Sequence, residues 1–285
     1  MSAARVYRLA AEAAHMIEPA LLKAWRWVVR SIARDDSSGS SRRSCVVVAP
    51  HPDDETIGCG ATIASKRASG TPVTVVVVAD GRHAQSNSTL IDAAQLAEIR
   101  AQEVVEACGA LGVGPDQVLQ LHFEDTHVEE REDALVAQLV EILTSTEPEE
   151  VLVISRHDHH PDHRSVNRAT YRALAVWGQS VQVSEFPVWS WIDGPWLDQR
   201  SRSALGRAIH LLGAPFRTVE GGRPTIVSTE GFLEAKRMGL AAHASQTTPY
   251  TGEPEWAVME GPMLDPFLGS SEIFLPPPRD RRQYR

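Results

Sequence analysis

A short apolar run that leads straight into a histidine- and aspartate-rich loop constrains this chain more than any other feature. Cys45-Val46-Val47-Val48 is followed by Ala49-Pro50-His51-Pro52-Asp53-Asp54-Glu55-Thr56, and then by Ile57-Gly58-Cys59-Gly60-Ala61. The apolar run predicts a buried strand, and the glycine-containing segment predicts a tight turn that opens a helix. Because open α/β sheets bind ligands at the carboxyl ends of their strands, we expect a ligand site at this loop.

A second loop of the same kind follows another apolar run further along the chain. Val151-Leu152-Val153-Ile154 predicts a strand, and Ser155-Arg156-His157-Asp158-His159-His160-Pro161-Asp162-His163 comes directly after it. Two histidines, one carboxylate and one open position form a common catalytic zinc site, and such ligands also bind iron, cobalt or manganese. In the first loop, His51 and Asp54 can chelate one cation from a single turn. Asp53 is then free to handle a proton, or it caps the following helix.

The rest of the pattern alternates between strands and helices. Apolar runs predict strands at 45–48, 72–78, 118–121, 151–154, 181–186 and 225–228, and helical periodicity predicts helices near 58–69, 88–111, 129–145, 165–176 and 230–242. This order implies an α/β fold with a mostly parallel sheet and helices on both faces. We predict a single catalytic domain over 45–275, with both loops at one edge of the sheet, and an extended tail at 276–285.

Residues 1–44 are predicted to form an amphipathic helix and a linker outside this domain. The helix covers 4–34, with a kink or break at Pro19, and the serine-rich segment 35–41 is typical of a flexible linker. The helix ends in basic and aromatic residues around Trp25, so that residues 1–34 can lie on an anionic membrane surface. Docking against the domain or against a second subunit is the other interpretation, which leaves a homo-oligomer open.

Composition indicates the compartment and excludes some partners. The formal net charge of −9 argues against a nucleic-acid partner. The three cysteines, Cys45, Cys59 and Cys108, have no metal-like spacing and fit a reducing compartment. No apolar run approaches the roughly 18 residues of a membrane span, and no signal peptide is evident. We expect a cytoplasmic protein, peripheral at the inner membrane surface if its N-terminal helix binds there.

Several motifs resemble those of a known family. Ala49-Pro50-His51-Pro52-Asp53-Asp54-Glu55, His160-Pro161-Asp162-His163, and Lys236 with His243-Ala244-Ser245-Gln246 are similar to motifs of the PIG-L or LmbE-like family, the N-acetylglucosaminyl-phosphatidylinositol de-N-acetylases. Arg100-Ala101-Gln102-Glu103 is a further similarity. The resemblance covers residues 45–250. It implies a Rossmann-like fold and zinc-dependent hydrolysis of an N-acetyl group, usually on an amino sugar.

The resemblance also implies roles for single residues. Carried over by position, it assigns three ligands to Zn²⁺ or another divalent ion: His51, Asp54 and His163. Asp53 would be the general base. His160 would be the electrophilic or acid group, with Asp162 setting its orientation, and a neighbouring carboxylate is expected to raise the pKa of such a histidine and favour its charged form.

Four more polar residues are candidates for contact with the substrate: Arg82, Asp158, His243 and Gln246. Asp158 stands where some sugar deacetylases of the family have a tyrosine that helps to polarise the substrate carbonyl, and an ionised aspartate cannot play that part. For His243 and Gln246, hydrogen bonding within the fold is the alternative. Trp189, Trp191 and Trp196 can stack on a sugar ring or pack in the core or a lid.

The sequence thus predicts a metal-dependent de-N-acetylase that acts on a small-molecule or lipid-linked amino sugar. Three alternatives stay open at this point. The first is an amidase for a non-sugar amide, and the second is metal-assisted phosphoester hydrolysis, which usually needs two ions about 4 Å apart. The third is a non-catalytic sugar-binding relative.

Overall fold

A five-stranded parallel sheet forms the centre of the computed structural model, which describes residues 19–196, 213 and 216–279. After a short strand, β1 (Arg34–Asp35), the chain enters this sheet, whose strands are β2 (Cys45–Ala49), β3 (Val73–Ala79), β4 (Val118–Phe123), β5 (Glu150–Ile154) and β6 (Gln182–Phe186). Every residue of β2 and β5 is buried. Continuous apolar runs of this kind are typical of parallel sheets covered on both faces.

The order of the strands creates the crevice in which the site lies. It is β4-β3-β2-β5-β6, and all neighbouring pairs are parallel. The chain therefore runs outward from β2 to one edge and then returns to β5 to build the other half. Because the connections after β2 and β5 leave in opposite directions, a crevice opens at their carboxyl ends. The predicted α/β class is confirmed, and both histidine-rich loops lie in this crevice.

The N-terminal helix packs on the domain. In the described part of the chain, α1 covers residues 19–32 and buries Trp25 against Trp191 and Trp196. Arg26 donates to the carbonyl of Trp191 at 2.7 Å. The predicted helical residues before position 19 lie outside the described residues. Several apolar side chains of α1 stay exposed, namely Leu21, Trp27, Val28 and Ile32, so contact with a membrane surface or a second copy stays a prediction.

The segment 35–41 is ordered, in contrast to the predicted flexible linker. Strand β1 pairs with a later strand, and Ser37–Ser40 forms a short helix, α2. The backbone N–H and the hydroxyl of Ser37 both donate to Asp35, and the Lys66 ammonium donates to the carbonyl of Ser40 at 2.5 Å. Serine-rich composition does not reveal such partners, because several of them are distant in sequence.

The helices start at positions that matter for the site. α3 (Asp54–Ala68) begins before the predicted residue 58, which puts Asp54 in its first turn. α4 (Ala93–Ala110) begins later than predicted, because Asp92 and Gln95 form a capping box at its start. After α5 (Glu132–Thr146), α6 (Pro161–Trp177) begins inside the second loop, where proline suits the first helical position.

A second sheet pairs a strand near the start of the described residues with two strands near their end. In it, β1 pairs in parallel with β7 (Thr225–Ser228), which pairs in antiparallel fashion with β8 (Ser271–Phe274). The sequence did not predict β8. Residues 276–278 have no regular secondary structure, as expected for an extended tail, although two of these prolines are buried. Within the described residues, no helix is both long and apolar enough to cross a membrane.

Candidate metal centre and active site

Three side chains from the two loops converge on one point in the crevice. His163 Nε2 lies 3.2 Å from Asp54 Oδ2 and 3.3 Å from His51 Nδ1, and His51 Nδ1 lies 3.5 Å from Asp54 Oδ2. A tetrahedral zinc ion with bonds of about 2.0–2.1 Å holds its ligand atoms about 3.3–3.4 Å apart. The three atoms therefore match one face of such a tetrahedron, and a cation of this size fits the donor set with a fourth position to spare.

His160 lies beside this centre. The ring nitrogens of His51, His160 and His163 also lie within 4.8 Å of one another, which makes these histidines a second possible ligand set. The His160 ring centroid is 4.9 Å from that of His51. In the set with Asp54, the three ligand atoms all lie within 3.5 Å of one another. These short distances make Asp54 a candidate for the third ligand, as the sequence predicted.

Both ligand histidines have a carboxylate behind the nitrogen that points away from the centre. His51 Nε2 lies 3.1 Å from Asp162 Oδ2 and 3.2 Å from Asp125 Oδ1, and His163 Nδ1 lies 3.0 Å from Asp158 Oδ2. A proton on each outer nitrogen leaves a lone pair on the inner one. Carboxylate–histidine–metal arrangements of this kind fix the ring and strengthen the ligand.

Groups of opposite charge lie next to one another in the candidate metal centre. Burial by itself raises the pKa of Asp54, but the charge and hydrogen bond of His163, together with His51, lower it below its usual range. Burial lowers the pKa of His163, but Asp54 and Asp158 outweigh this effect and raise it to about 9. A cation that enters the centre must therefore displace a proton from His163.

Asp53 is adjacent to Asp54 in sequence but has a different environment. It occupies the N-cap position of α3, yet its side chain makes no capping hydrogen bond, and its Oδ2 accepts from Arg100 Nη2 at 2.8 Å. Its φ of 134° lies in a region that costs a non-glycine residue about 1–3 kcal/mol. Glu55 holds this conformation by accepting the Asp53 N–H at 3.0 Å. Burial raises the pKa of Asp53 to about 6, against the opposing charge of Arg100.

His160 caps α6 and has a defined tautomer. Its Nδ1 accepts from the backbone N–H of Asp162 at 3.2 Å, so the ring proton is on Nε2. The Asp162 carboxylate instead accepts from the N–H of Thr126 at 2.7 Å and contacts His51. Burial and the charges of His51 and His163 lower the pKa of His160 to about 4. The structure thus favours a neutral His160 where the sequence predicted a charged one, and Asp162 orients this ring through its backbone.

Asp158 lies behind the metal centre and outside the cavity lining. Only 1% of its surface is exposed. Besides His163, its carboxylate accepts from the backbone N–H groups of Val188, Trp189 and Ser190, at 3.2, 2.9 and 2.9 Å, where the short helix α7 (Trp189–Asp193) begins. This position does not fit the predicted contact with substrate. Asp158 instead positions His163.

The other three candidates for substrate contact lie in different surroundings. Gln246 lines the cavity in front of the metal centre. His243 is fully buried, with its Nε2 3.2 Å from Glu55 Oε1, so that it supports the residue that holds the Asp53 backbone. Arg82 is partly exposed and forms an ion pair with Asp80 at 2.7 Å. Of these three, the structure brings only Gln246 into the described lining.

Two residues that the sequence did not single out as functional complete the site. Arg100, 3% exposed, donates to Asp53 and to the carbonyls of Gly81 and Pro52. Its position on the apolar face of α4 was a signal, because a charge there must have a buried partner. Asp125 follows β4 and contacts His51, so the rule that ligand sites lie at strand ends would have found it.

A cavity of about 300 Å³ opens in front of the metal centre, and its two walls differ. We call the six residues around the metal centre the polar wall: His51, Asp53, Asp54, Asp125, His160 and His163. Other polar residues of the lining are His83, Gln85, Arg100, Thr126 and Gln246. The apolar wall consists of Val188, Trp189, Ile192, Met259, Met263 and Leu264. Among the tryptophans named from the sequence, Trp189 lines the cavity, while Trp191 and Trp196 are buried.

Fold and site together define a Rossmann-like α/β protein with a candidate metal centre at the switch point of its sheet. A family model agrees with this class: PIG-L, described as GlcNAc-PI de-N-acetylase, matches residues 46–174. Over these residues the chain is similar to the family that its motifs resembled.

Individual relatives extend the similarity beyond the family model. The 1D-myo-inositol 2-acetamido-2-deoxy-alpha-D-glucopyranoside deacetylase of Rhodococcus jostii is 27% identical over 270 residues, which cover 82% of this chain and 92% of the relative. Among solved structures, N,N'-diacetylchitobiose deacetylase from Pyrococcus horikoshii superposes with a TM-score of 0.59 at 19% identity, covering 93% of this chain and 91% of the other.

The same fold also occurs with another chemistry. GalB from Pseudomonas putida, a 4-carboxy-2-hydroxymuconate hydratase, superposes with a TM-score of 0.53 at 19% identity, covering 72% of this chain and 80% of that one. The fold alone therefore does not determine the reaction. The reaction depends on the side chains of the site.

Proposed function

We propose that this chain is a zinc-dependent hydrolase that removes an N-acetyl group from an amino sugar or a glycoconjugate. The observation that carries the proposal is the convergence of three ligand atoms within 3.5 Å, with Asp53 and His160 beside them in one cavity. The reaction class is supported by the relative from Rhodococcus jostii, a deacetylase of an N-acetylglucosaminide that this chain matches along 92% of its length.

His51, Asp54 and His163 would hold the metal. When bound, the ion supplies Lewis-acid polarisation of the acetamide carbonyl and acidifies water. Two imidazole nitrogens and one carboxylate oxygen suit zinc, and iron, cobalt or manganese accept the same donors. A single site is enough for amide hydrolysis.

Asp53 is the group that accepts the proton of the attacking water. Arg100 holds its Oδ2, and among the described residues no hydrogen bond uses its Oδ1. Its pKa of about 6 keeps it ionised at neutral pH, while it remains basic enough for proton transfer. The strained backbone, held by Glu55, fixes the direction of the carboxylate.

His160 donates a hydrogen bond to the carbonyl oxygen as that oxygen becomes negatively charged. Because Nδ1 accepts from the Asp162 backbone, Nε2 carries the proton that can be donated. A preorganised donor of this kind typically lowers the barrier by about 3–4 kcal/mol. No positive charge on His160 is required.

The departing amine receives its proton from Asp53. At this stage Asp53 carries the proton taken from water, whereas neutral His160, with a pKa of about 4, has no proton to give without becoming an anion. The C–O bond forms, the C–N bond breaks, and acetate and a free amine are released. One carboxylate therefore serves as base and then as acid.

The cysteines support the proposed compartment. All three are buried and unpaired, which supports the predicted reducing, cytoplasmic location. A cytoplasmic enzyme would find its substrate dissolved or presented at the inner membrane surface.

The test is acetate release by the zinc-loaded protein from a panel of N-acetyl compounds. The panel contains N-acetylglucosamine, its glycosides, an inositol-linked form, chitobiose and one non-sugar acetamide. Release from any of the sugars supports the proposal. Release from the non-sugar acetamide alone would identify an amidase, and no release from any compound, with one equivalent of zinc bound, would contradict the proposal and favour a non-catalytic relative.

A further inference from the structure

The apolar wall has more apolar surface than the proposed reaction needs. Val188 is buried, but the other five side chains, Trp189, Ile192, Met259, Met263 and Leu264, are only partly buried although they line a cavity. Apart from the indole N–H of Trp189 and the weakly accepting sulfurs of methionine, none of them can form a hydrogen bond. Sugar hydroxyls would find few hydrogen-bond partners among these side chains.

Hydrogen bonds hold the first half of the apolar wall in place. The backbone N–H groups of Val188 and Trp189 donate to the buried Asp158 carboxylate. At the other end of α7, Arg26 donates to the carbonyls of Trp191 and Ile192. This half is thus fixed both to the metal centre and to α1.

The second half is fixed independently. The Gln85 side chain donates to the Ala257 carbonyl at 2.7 Å and accepts the Ala257 N–H at 2.9 Å. The Met259 N–H donates to the Gln246 carbonyl at 2.7 Å, and the Trp256 indole donates to the Ser245 carbonyl at 2.9 Å. The segment that carries Met259 is therefore anchored to the rest of the site at several points.

We infer that the apolar wall binds an apolar substituent of the substrate, carried next to the acetamide either as an aglycone or as part of the N-acyl group. This inference rests on the proposed function. Covering partly exposed apolar side chains is favourable in proportion to the area removed from water, and ligand cavities typically combine such surface with a few polar groups. Here the polar groups are those of the polar wall.

Stacking of the sugar alone does not account for this wall. A pyranose ring offers an apolar face that one aromatic side chain, here Trp189, can cover. Ile192, Met259, Met263 and Leu264 would stay uncovered by it. An alkyl or aryl group attached to the sugar supplies the missing contact.

The experiment uses the zinc-loaded protein and two homologous series, with each compound below its critical micelle concentration. One series is the N-acetylglucosamine glycosides with methyl, butyl, hexyl and octyl aglycones. The other is the methyl glycoside with N-acetyl, N-butanoyl and N-hexanoyl groups. We expect kcat/KM in one series to rise by about fourfold per methylene over its first members and then to level off. The series that rises identifies the source of the apolar group.

One double variant and one single-residue control test the location of the apolar subsite. Met259→Gln together with Met263→Gln keeps side-chain length but adds polar groups, and it should reduce the rise with chain length to less than half. The control is Met238→Gln, a methionine that is 57% exposed and outside the cavity lining, and it should leave the rise unchanged.

The outcomes separate this inference from the proposed function. Turnover of the methyl glycoside, with equal or lower kcat/KM for all longer members of both series, would overturn the apolar subsite and leave the deacetylase proposal in place. The same is true of a rise that the methionine variants do not reduce. If no compound of either series is hydrolysed, the apolar subsite fails. Acetate release from chitobiose or from the inositol-linked form would then keep the proposed function in place, and no release from these sugars would overturn it as well.

Discussion

The two walls of the cavity come from different parts of the chain. All six residues of the polar wall lie within residues 46–174, the part that the PIG-L family model matches. All six residues of the apolar wall lie after it, in the segments 188–192 and 259–264. The polar wall is built at the ends of β2, β4 and β5, whereas the apolar wall is carried by the short helix α7 and by a segment that contains the 3-10 turn Gly261–Met263.

This difference suggests a division of roles, in which the polar wall carries out the reaction and the apolar wall selects the substrate. The ends of buried parallel strands are rigid, so a metal centre there keeps its geometry while other segments change. Loops and short helices tolerate substitution and carry the contacts that differ between relatives. Changes in the polar wall are expected to affect every substrate alike, and changes in the apolar wall to alter the ranking of substrates.

The largest effect is expected for His163→Ala. Removal of a metal ligand should reduce zinc affinity more than removal of a residue that orients a ligand, which typically reduces it by about 10–100-fold. Zinc affinity should therefore fall by more than about 100-fold, and turnover should be lost. Zinc content after dialysis measures this loss. His122→Asn is the control, because His122 is exposed and belongs to neither wall; stoichiometric zinc in the His163 variant would show that the ligand is wrongly assigned.

Asp53→Asn should lower kcat by about 10²–10⁴-fold without loss of zinc, because amide and carboxylate have the same shape but only the carboxylate accepts a proton. In the wild type, activity should fall as the pH drops through the pKa of Asp53. Burial raises that pKa to about 6, and a bound cation would lower it from this value. A variant with wild-type kcat and an unchanged acid limb would exclude Asp53 as the base.

Asp158→Asn should weaken zinc binding by about 10–100-fold, since it replaces a carboxylate that orients His163. The substituted amide would also place its own N–H donors against the backbone N–H donors at the start of α7. Ser190→Ala is the matched variant. It removes a hydroxyl donor to Asp158 and keeps the carboxylate, so its effect on zinc affinity, measured with a competing chelator, should be clearly smaller. Equal effects would argue against orientation of His163 as the cause.

The smallest effect is expected in the apolar wall. Ile192→Val removes one methylene and should lower kcat/KM by about fourfold at most for a substrate with an apolar substituent. The loss should be smaller for a substrate without one. Val176→Ala, at a position that is 69% exposed on α6, removes apolar surface outside the cavity and serves as the control. An equal loss of kcat/KM for all substrates would show that Ile192 contributes to the stability of the fold and not to the selection of the substrate.

Local patterns account for the parts of the fold and site that the sequence predicted. The strands at 45–49 and 150–154 are continuous buried runs, and both loops follow them directly, so the crevice and its ligands could be predicted. α6 begins at Pro161, inside the motif, and this start was missed because the motif was treated as a loop. Its proline was a usable signal.

The remaining features depend on partners distant in sequence. From the sequence, Asp158 is a candidate for contact with the substrate. Its hydrogen-bond donors are the backbone N–H groups of residues 188–190, which lie about thirty residues further along the chain. The charge of His160 depends on its burial beside two other histidines. The apolar wall was invisible because its residues have no periodicity and come from two segments that only tertiary structure brings together.

The position of Asp158 couples the metal to the shape of the cavity. One oxygen of its carboxylate contacts the ligand His163, and the same carboxylate collects the N–H groups that begin α7. Linkage of this kind is reciprocal: whatever free energy the metal contributes to the order of α7, the order of α7 contributes to metal affinity. In the proposed enzyme, a substrate that contacts Trp189 and Ile192 would therefore strengthen the binding of the ion that polarises its carbonyl. Loss of the ion would in turn loosen the surface that selects the substrate.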